Sequence, residues 1–312
     1  MKKLRAVTQT KASEADHLSL ADNSLDRPLP PLARLGRRVA STVVPNLTRR
    51  RFLQLSAAAL AATAIDGIAT STDIKLEHHR LTLPNWDATG FRVAQVTDVH
   101  LNNTGMRDRA HEAIAMAMDL KPDLLVFTGD FLNIATDECL GYVREVFGRL
   151  SEAGCPCLAI TGNHDYTCEA TPKLFATVAE TPIRLLRNEI VEVAGITVFG
   201  IDDAVHGHPD FSLSGAQVAS RSRLVLLHEP DFVSRLAGNP SLVLSGHSHG
   251  GEICLPGGIP IHTPVGAQIY KAGYYPKAPF PLYVSRGVGT LGPCRVFCPP
   301  EVTLFTLYGR ES

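Results

Sequence analysis

Phe91-Arg92-Val93-Ala94-Gln95-Val96-Thr97-Asp98-Val99-His100 decides how this chain is read. The run 91–96 is apolar and β-prone, and it closes on an Asp and a His two residues apart. Four later segments repeat the arrangement: Gly129-Asp130, Gly162-Asn163-His164-Asp165, His228-Glu229-Pro230 and Gly246-His247-Ser248-His249-Gly250. They follow apolar runs at 123–127, 157–160, 224–227 and 242–244. Each therefore reads as a polar turn at the end of a buried strand.

Working outward, 106–120 predicts an amphipathic helix with Ala110, Ala113, Ile114 and Met118 on one face. A second helix is expected over 139–150. Strand, helix, strand, helix, strand is the pattern of a sheet with helical crossovers. An earlier β-like stretch holds Ile74, Leu76, Leu81 and Leu83 and stops at Pro84-Asn85. The second half is richer in strands, at 183–186, 190–193, 196–201, 224–227, 242–244, 282–285 and 302–308, which predicts a second sheet packed on the first.

In sheets of this kind, ligands collect outside the carboxyl ends of the strands. Side chains at i and i+2 of an extended chain point the same way. Asp98 with His100, and His247 with His249, are thus expected to converge if the extended backbone persists past the strand. Gly129, Gly162 and Gly246 each precede a candidate ligand and suit a sharp strand-to-loop turn or a close backbone approach. A lone Asp-x-His is most often a surface loop, and Gly-Asp alone is ordinary turn chemistry. Five such segments in order, each at a strand end, are not explained that way.

The donor set mixes imidazole, carboxylate and one carboxamide. It suits two divalent ions drawn from Mn, Fe or Zn rather than Ca. Two such ions ~4 Å apart clamp a phosphate and sharpen a bound water into hydroxide near neutral pH. The chemistry expected is metal-assisted hydrolysis of a phosphate ester.

Composition narrows the class. The 312 residues carry a net charge of -1 and are 45% hydrophobic, which fits one large domain and a leader. Such a balance argues against a nucleic-acid polymer as partner, which needs basic surface. The seven cysteines are odd in number and irregular in spacing, so they form neither a disulfide framework nor zinc knuckles. Small buried side chains are the plain reading, with Cys294 and Cys298 able to pair in an oxidising space.

The leader has three parts. Residues 1–47 read as a disordered polar extension, or as the product of a start assigned too far upstream. Residues 48–72 hold Thr48-Arg49-Arg50-Arg51-Phe52-Leu53-Gln54 and then an Ala-rich apolar stretch from Leu53 to about Ala64. The arginine segment resembles the twin-arginine export signal. Its apolar core is shorter than the ~20 residues that span a bilayer comfortably, and Ala62-Thr63-Ala64 suits a cleavage site. Residues 73–312 are expected to form the catalytic domain.

The five segments together resemble those of the calcineurin-like metallophosphoesterase superfamily, over about 91–249. The tail segments 283–289 and Cys298-Pro299-Pro300-Glu301 resemble its bacterial twin-arginine-exported phosphodiesterase branch. The resemblance implies an α/β fold, a four-layer αββα sandwich of two mixed sheets. It implies that Asp98, His100 and His249 hold one ion, that Asn163, His228 and His247 hold the other, and that Asp130 bridges. It places His164 at the scissile phosphate, to stabilise its charged oxygens or protonate the leaving alkoxide.

Two positions depart from the pattern. Asn133 stands where many members carry the carboxylate that orients the catalytic His, so His164 is expected to act more as a hydrogen-bond donor than as a proton donor, unless Asp165 compensates. Glu252 stands where Gln is frequent, with no role evident from sequence.

The functions implied are a phosphodiesterase acting on an envelope or nucleotide substrate, a UDP-2,3-diacylglucosamine-type pyrophosphohydrolase, or a phosphomonoesterase. A binding module without catalysis is the rival from another class, and such relatives usually lose ligands. Expected partners are a phosphate-ester small molecule or an envelope lipid or sugar-nucleotide, and the twin-arginine export machinery. The expected location is the periplasm or the outer face of the cytoplasmic membrane, close to the lipid. His206 and His208 read as an exposed loop. Arg286 suits either a phosphate or an ion pair, and Tyr270, Tyr274 and Tyr275 suit stacking or ordinary packing.

Overall fold

The computed structural model describes residues 48–69 and 71–310. The polar extension expected over 1–47 lies outside them. The elements, in order, are α1 (Arg49–Ala69), β1 (Lys75–Leu83), β2 (Phe91–Val96), α2 (Thr104–Asp119), β3 (Leu124–Thr128), α3 (Asp137–Gly148) and β4 (Cys157–Ile160). Then come α4 (Asn163–Thr167), α5 (Thr171–Ala179), β5 (Arg184–Leu185), β6 (Glu189–Val193), β7 (Ile196–Gly200), β8 (Arg223–Leu226) and β9 (Leu242–Ser245). The chain ends through β10 (Cys254–Leu255), β11 (Ile259–Pro260), β12 (Gly273–Tyr275), β13 (Leu282–Val284) and β14 (Glu301–Gly309).

Two six-stranded mixed sheets form the centre, in the orders β1-β14-β2-β3-β4-β5 and β12-β13-β9-β8-β7-β6. Within the first, β2, β3, β4 and β5 run parallel, with Val96 opposite Phe127 and Thr128 opposite Ile160. Within the second, β7, β8, β9 and β13 run parallel. The facing surfaces meet in one dry layer that includes Val93, Leu124, Val126, Leu158, Val198, Leu224 and Leu244. Strands buried on both faces read as continuous apolar runs, which is why 124–128 and 242–245 carry no alternation.

The outer face of the first sheet is covered by α2, α3 and α5. Asn103 starts α2 by accepting from the Met106 N–H at 2.9 Å, and Thr136 caps α3 through the Cys139 N–H. Ala110, Ala113, Ile114 and Ala117 form the buried stripe of α2, with Met118 half-buried beside it. The outer face of the second sheet is covered by short 3₁₀ turns, Phe211–Gly215 and Pro230–Arg235, with Phe211 stacked on Phe232. The expected four layers are therefore present, the last of them made of turns because the parallel strands β8 and β9 are joined by a connection too Pro- and Gly-punctuated for a long helix.

The helix α1 differs from expectation. It extends past the Ala-rich core to 21 residues, long and apolar enough to cross a membrane by length and composition. Only Gly67 of α1 is buried, where an added Cβ would meet the Phe297 ring at 2.7 Å. All seven cysteines are free thiols, so Cys294 and Cys298 are not paired.

Candidate metal centre

The carboxyl ends of β2, β3, β4, β8 and β9 meet at one pole of the sandwich and deliver Asp98 and His100, Asp130, Asn163 and His164, His228, and His247 and His249. The two sheets are stitched there. Gln95 Nε2 donates to Thr128 Oγ1 and to Ser245 O, and the His247 N–H donates to the Asp98 carboxylate at 3.0 Å. Candidate ligand atoms fall into two clusters, Asp98-His100-Asp130-His249 and Asp130-His228-His247, each within 4.8 Å. All of these side chains are buried, whereas Asn163 and His164 are half-buried.

The local backbone corrects the convergence argument. Asp98, His100, Asp130, His247 and His249 all have positive φ, between 45° and 66°. The pairs meet because a left-handed residue at each ligand position alternates with an ordinary one between them, Ser248 having φ of -71°, and not because the chain stays extended. Left-handed backbone at five non-glycine residues is costly and marks an over-determined site. The hydrogen bonds that hold it are visible: Asp98 N to Gly129 O, His100 N to Asp130 O, Val288 N to Thr97 O and Gly289 N to Asp98 O. Close approach explains the glycine at 246, where an added Cβ would collide with Thr97 Oγ1 and Asp98 Oδ2. Gly129 answers to both demands, with φ of 100° and His228 Nδ1 against it.

Hydrogen bonds fix each imidazole. His100 Nδ1–H donates to Asn133 Oδ1 at 2.5 Å, and His228 Nδ1–H donates to Thr128 O at 2.5 Å. His247 Nε2–H donates to Val265 O at 2.8 Å. His249 Nδ1 lies 3.3 Å from both Glu252 Oε1 and Arg295 Nη2. That Arg nitrogen already donates to Gly289 O and Arg286 O, so the imidazole proton goes to Glu252. The remaining nitrogens carry lone pairs, and they face other acceptors. His100 Nε2 and His249 Nε2 are 3.0 Å apart, with Asp130 Oδ2 and Asp98 Oδ1 each at 3.5 Å. His247 Nδ1 lies 2.9 Å from Asn163 Oδ1, and His228 Nε2 sits 3.3 Å from Asp130 Oδ2 without a hydrogen bond. Acceptor against acceptor in a buried pocket calls for cations between them.

The electrostatics agree. Burial drives the carboxyl of Asp98 up to about 7, assisted by Asp130. Burial drives His100 and His247 down to about 4 and His249 well below its ordinary value. Burial also opposes ionisation of Asp130, but the imidazoles of His228, His100 and His164 outweigh it and hold that carboxyl low. His100, His247 and His249 are thus held neutral, as metal ligands must be, whereas at His228 burial is outweighed by Asp130, Glu229 and Asp98, which raise it well above its ordinary value, so that ring and Asp98 give up protons when a metal binds.

Both departures in the sequence find their explanation. Asn133 orients His100, not His164, because its amide oxygen reaches the nearer ring. Asp165 does not compensate. Its carboxylate turns into the protein and accepts from Asp130 N, Phe131 N and Gly162 N at 2.7–3.0 Å. It braces the turn that carries Asp130. His164 is held through its main chain, whose N–H donates to Asp130 Oδ1 at 2.9 Å, and its ring stands edge-on to His100. Glu252 faces His249 and also accepts from Leu291 N and Gly292 N.

Sequence reading missed Arg295 and the Asp203–Glu229 pair. Among the described residues Arg295 is buried with no carboxylate at ion-pair distance, donating instead to carbonyls of Gly289, His249, Cys298 and Arg286. Glu229 Oε1 and Asp203 Oδ1 are buried without partners, and burial together with Asp203 raises the Glu229 carboxyl well above its usual range. Neither had a local signal: both depend on loops far apart in sequence. Arg286 resolves as an ion pair with Glu77 and Glu301, each at 2.6 Å. Tyr270, Tyr274 and Tyr275 pack against the core, and His206 and His208 are exposed.

Comparison with known proteins agrees with this geometry. Residues 91–251 match the Calcineurin-like phosphoesterase family. The chain is 31% identical to the metallophosphoesterase YkuE of Bacillus subtilis (strain 168), over 84% of this chain and 98% of that protein. It is 30% identical to Phosphodiesterase YaeI of Escherichia coli (strain K12), over 84% and 99%. It is 25% identical to the UDP-2,3-diacylglucosamine pyrophosphatase LpxG of Chlamydia muridarum, over 69% and 83%. A matching family profile over the strand ends that carry the clusters, and a relative covered almost end to end, lead to one conclusion: the chain belongs to the calcineurin-like phosphoesterase family and is a metal-dependent phosphoester hydrolase.

Proposed function

We propose that this chain is a dinuclear phosphodiesterase exported by the twin-arginine route. In this reading Asp98, His100 and His249 hold one divalent ion, Asn163, His228 and His247 hold the other, and Asp130 lies between. The observation that carries it is the convergence of four imidazole nitrogens, two carboxylates and an amide oxygen at one pole of the sandwich, each within ligand-sharing distance of a neighbour. The donor set suits Mn, Fe or Zn.

Divalent ions bound there supply Lewis acidity, which lowers the pKa of water toward neutrality. The chain's own residues do the rest. Asn133, Thr128, Val265 and Glu252 keep each imidazole in the tautomer whose lone pair faces inward. Asp165 and the His164 N–H fix the position of Asp130. The half-buried ring of His164 is the group left to reach a phosphate oxygen or the leaving alkoxide. With Asn133 and Asp165 both turned elsewhere, no carboxylate is hydrogen-bonded to that ring among the described residues, so it acts as a hydrogen-bond donor. An alkaline limb of the pH–rate profile without a group titrating near neutrality supports that role; a sharp loss of rate there removes it.

Diester preference is supported by the likeness to a protein named phosphodiesterase. A pyrophosphohydrolase of the UDP-2,3-diacylglucosamine type is the alternative supported by the likeness to LpxG. Export is supported by Arg49-Arg50-Arg51 in the first turn of α1, ahead of its apolar stretch. Hydrolysis of bis- and mono-(p-nitrophenyl) phosphate with Mn, Zn, Fe and Mg separates the readings. Faster turnover of the monoester overturns the diesterase assignment.

A further inference from the structure

We propose that the mouth of this site rests on a lipid bilayer and that its substrate is a membrane-resident amphiphile carrying the scissile phosphodiester. The substrate class rests on the phosphodiesterase reading; the surface does not. Among the described residues, ten large apolar side chains outside α1 are exposed, and seven of them lie between 253 and 291. Ile259 is 60% exposed, Ile261 64%, Val265 72% and Ile269 68%. Singly exposed apolar residues need no explanation, but a contiguous group does.

The group is contiguous because the loops carrying it are tied to the candidate ligands and to each other. Val265 O accepts from His247, and Asp231 accepts from Gln268, Ile269 and Tyr270 N–H. Ile261 N donates to Ile253 O, closing the β10–β11 hairpin, and Glu252 clasps Leu291 and Gly292. The apolar loops therefore form a rim anchored beside the face on which His247 and His249 lie.

Two independent observations select a bilayer as the occupant. The first is charge. From Ile253 to Pro300 the chain contains no Asp or Glu, while Lys271 and Lys277 stand among the apolar residues. A segment that is apolar, carries cations and lacks acidic residues, with the Asp231 and Glu252 carboxylates beside it engaged by backbone N–H groups, complements an anionic lipid face. The second is the placement of α1. Its last turn is fastened to the segment beside the hairpin: Phe297 N donates to Gly67 O at 3.0 Å and Cys298 N to Ser71 Oγ at 2.9 Å. Ile253 pairs with Val296 in the same place, and Cys254 N donates to Val296 O. A helix of membrane-spanning length thus ends where the rim begins, and its basic N-terminal end sets the catalytic domain on the outer face.

The test uses the full chain in phosphatidylglycerol–phosphatidylethanolamine vesicles. Trp86 is buried, so an Ile259→Trp probe reports its own surroundings. Doping with brominated lipid is expected to quench that probe about twofold, and a Leu76→Trp probe far less. Equal or absent quenching overturns the proposal, as does a blue shift that depends on protein concentration without vesicles, which would assign the rim to a second copy. In a second arm, the Leu255→Ser/Ile259→Ser/Ile261→Ser variant is expected to turn over p-nitrophenyl hexadecyl phosphate in vesicles about tenfold more slowly, with bis(p-nitrophenyl) phosphate changed less than about twofold. Unchanged turnover of the lipid ester overturns the substrate class. Equal loss on both substrates also overturns it, since the rim then serves the fold and not the lipid. Quenching with no turnover of any phosphoester leaves the membrane surface standing and sinks the phosphodiesterase reading.

Discussion

The two clusters of the candidate metal centre, its halves, are braced in different ways. Around Asp98, His100 and His249 the support comes from side chains: Asn133 on one imidazole, Glu252 and Arg295 on the other. Around His228 and His247 it comes from main-chain carbonyls, Thr128 O and Val265 O. A carbonyl in a strand or a packed loop cannot be removed by substitution. One half is therefore open to tuning through single residues, and the other is fixed by the fold. Side-chain support also lets evolution place Asn at 133 and Glu at 252 without moving the backbone.

The contrast can be broken most sharply at the residue both halves share. Asp130→Asn is expected to lower turnover about a thousandfold with any metal, because both halves lose a charge at once. Activity near the unsubstituted level would mean the halves are not joined there. Arg295→Met comes next. It leaves the carbonyls of Gly289, Arg286 and His249 without a donor in a buried place, and an expected loss of about 3 kcal/mol in urea unfolding follows. A loss below about 1 kcal/mol would show that the side-chain bracing is not structural.

Glu252→Gln and Asn133→Ala test the asymmetry itself. Each is expected to weaken one metal equivalent about tenfold while the other is unchanged, as read by equilibrium dialysis with metal analysis. Equal weakening of both equivalents would erase the distinction between the halves.

The smallest effects are in the pH dependence of the metal-free chain, where Asp98 and His247 respond with opposite sign. The fold raises Asp98 to about 7, so it holds a proton that the unfolded chain releases above about 3.8. Its contribution to stability falls as pH rises through that window. The fold lowers His247 to about 4, so the unfolded chain binds the extra proton below 6.5. Its contribution is lost as pH falls from 6.5 to 4. Asp98→Asn is therefore expected to gain on the parent as pH rises from 4 to 7, and His247→Gln to gain on it as pH falls from 6.5 to 4. Matching slopes in urea unfolding would show that the two groups share one titration.

Much of this was legible in one dimension. The strands at 91–96, 124–128, 157–160 and 242–245 were readable because each is short, apolar and closed by a turn residue. The helix at 104–119 was readable from its stripe; expected over 106–120, it starts two residues earlier because Asn103 caps it, and ends one residue earlier. The short elements α4, α5, β10, β11 and β12 were not read. They are too brief to show a period, and contacts rather than propensity hold them in place. The bracing side chains were invisible for another reason. Asn133 looked like a lost partner for His164 until its distance to His100 could be seen, and Arg295 sits in a stretch with no pattern.

What the sequence determined by itself is the inventory: which strands end in Asp, Asn or His, and that their order suits a sheet whose carboxyl ends gather ligands. That information is local, because apolar runs and turn residues are properties of neighbours along the chain. What only the tertiary structure decided is the direction of each group: left-handed coiling in place of extension, Asn133 toward His100, Asp165 toward backbone amides. Those choices depend on hydrogen bonds between residues some 30 to 150 positions apart, and no spacing rule reaches across that distance.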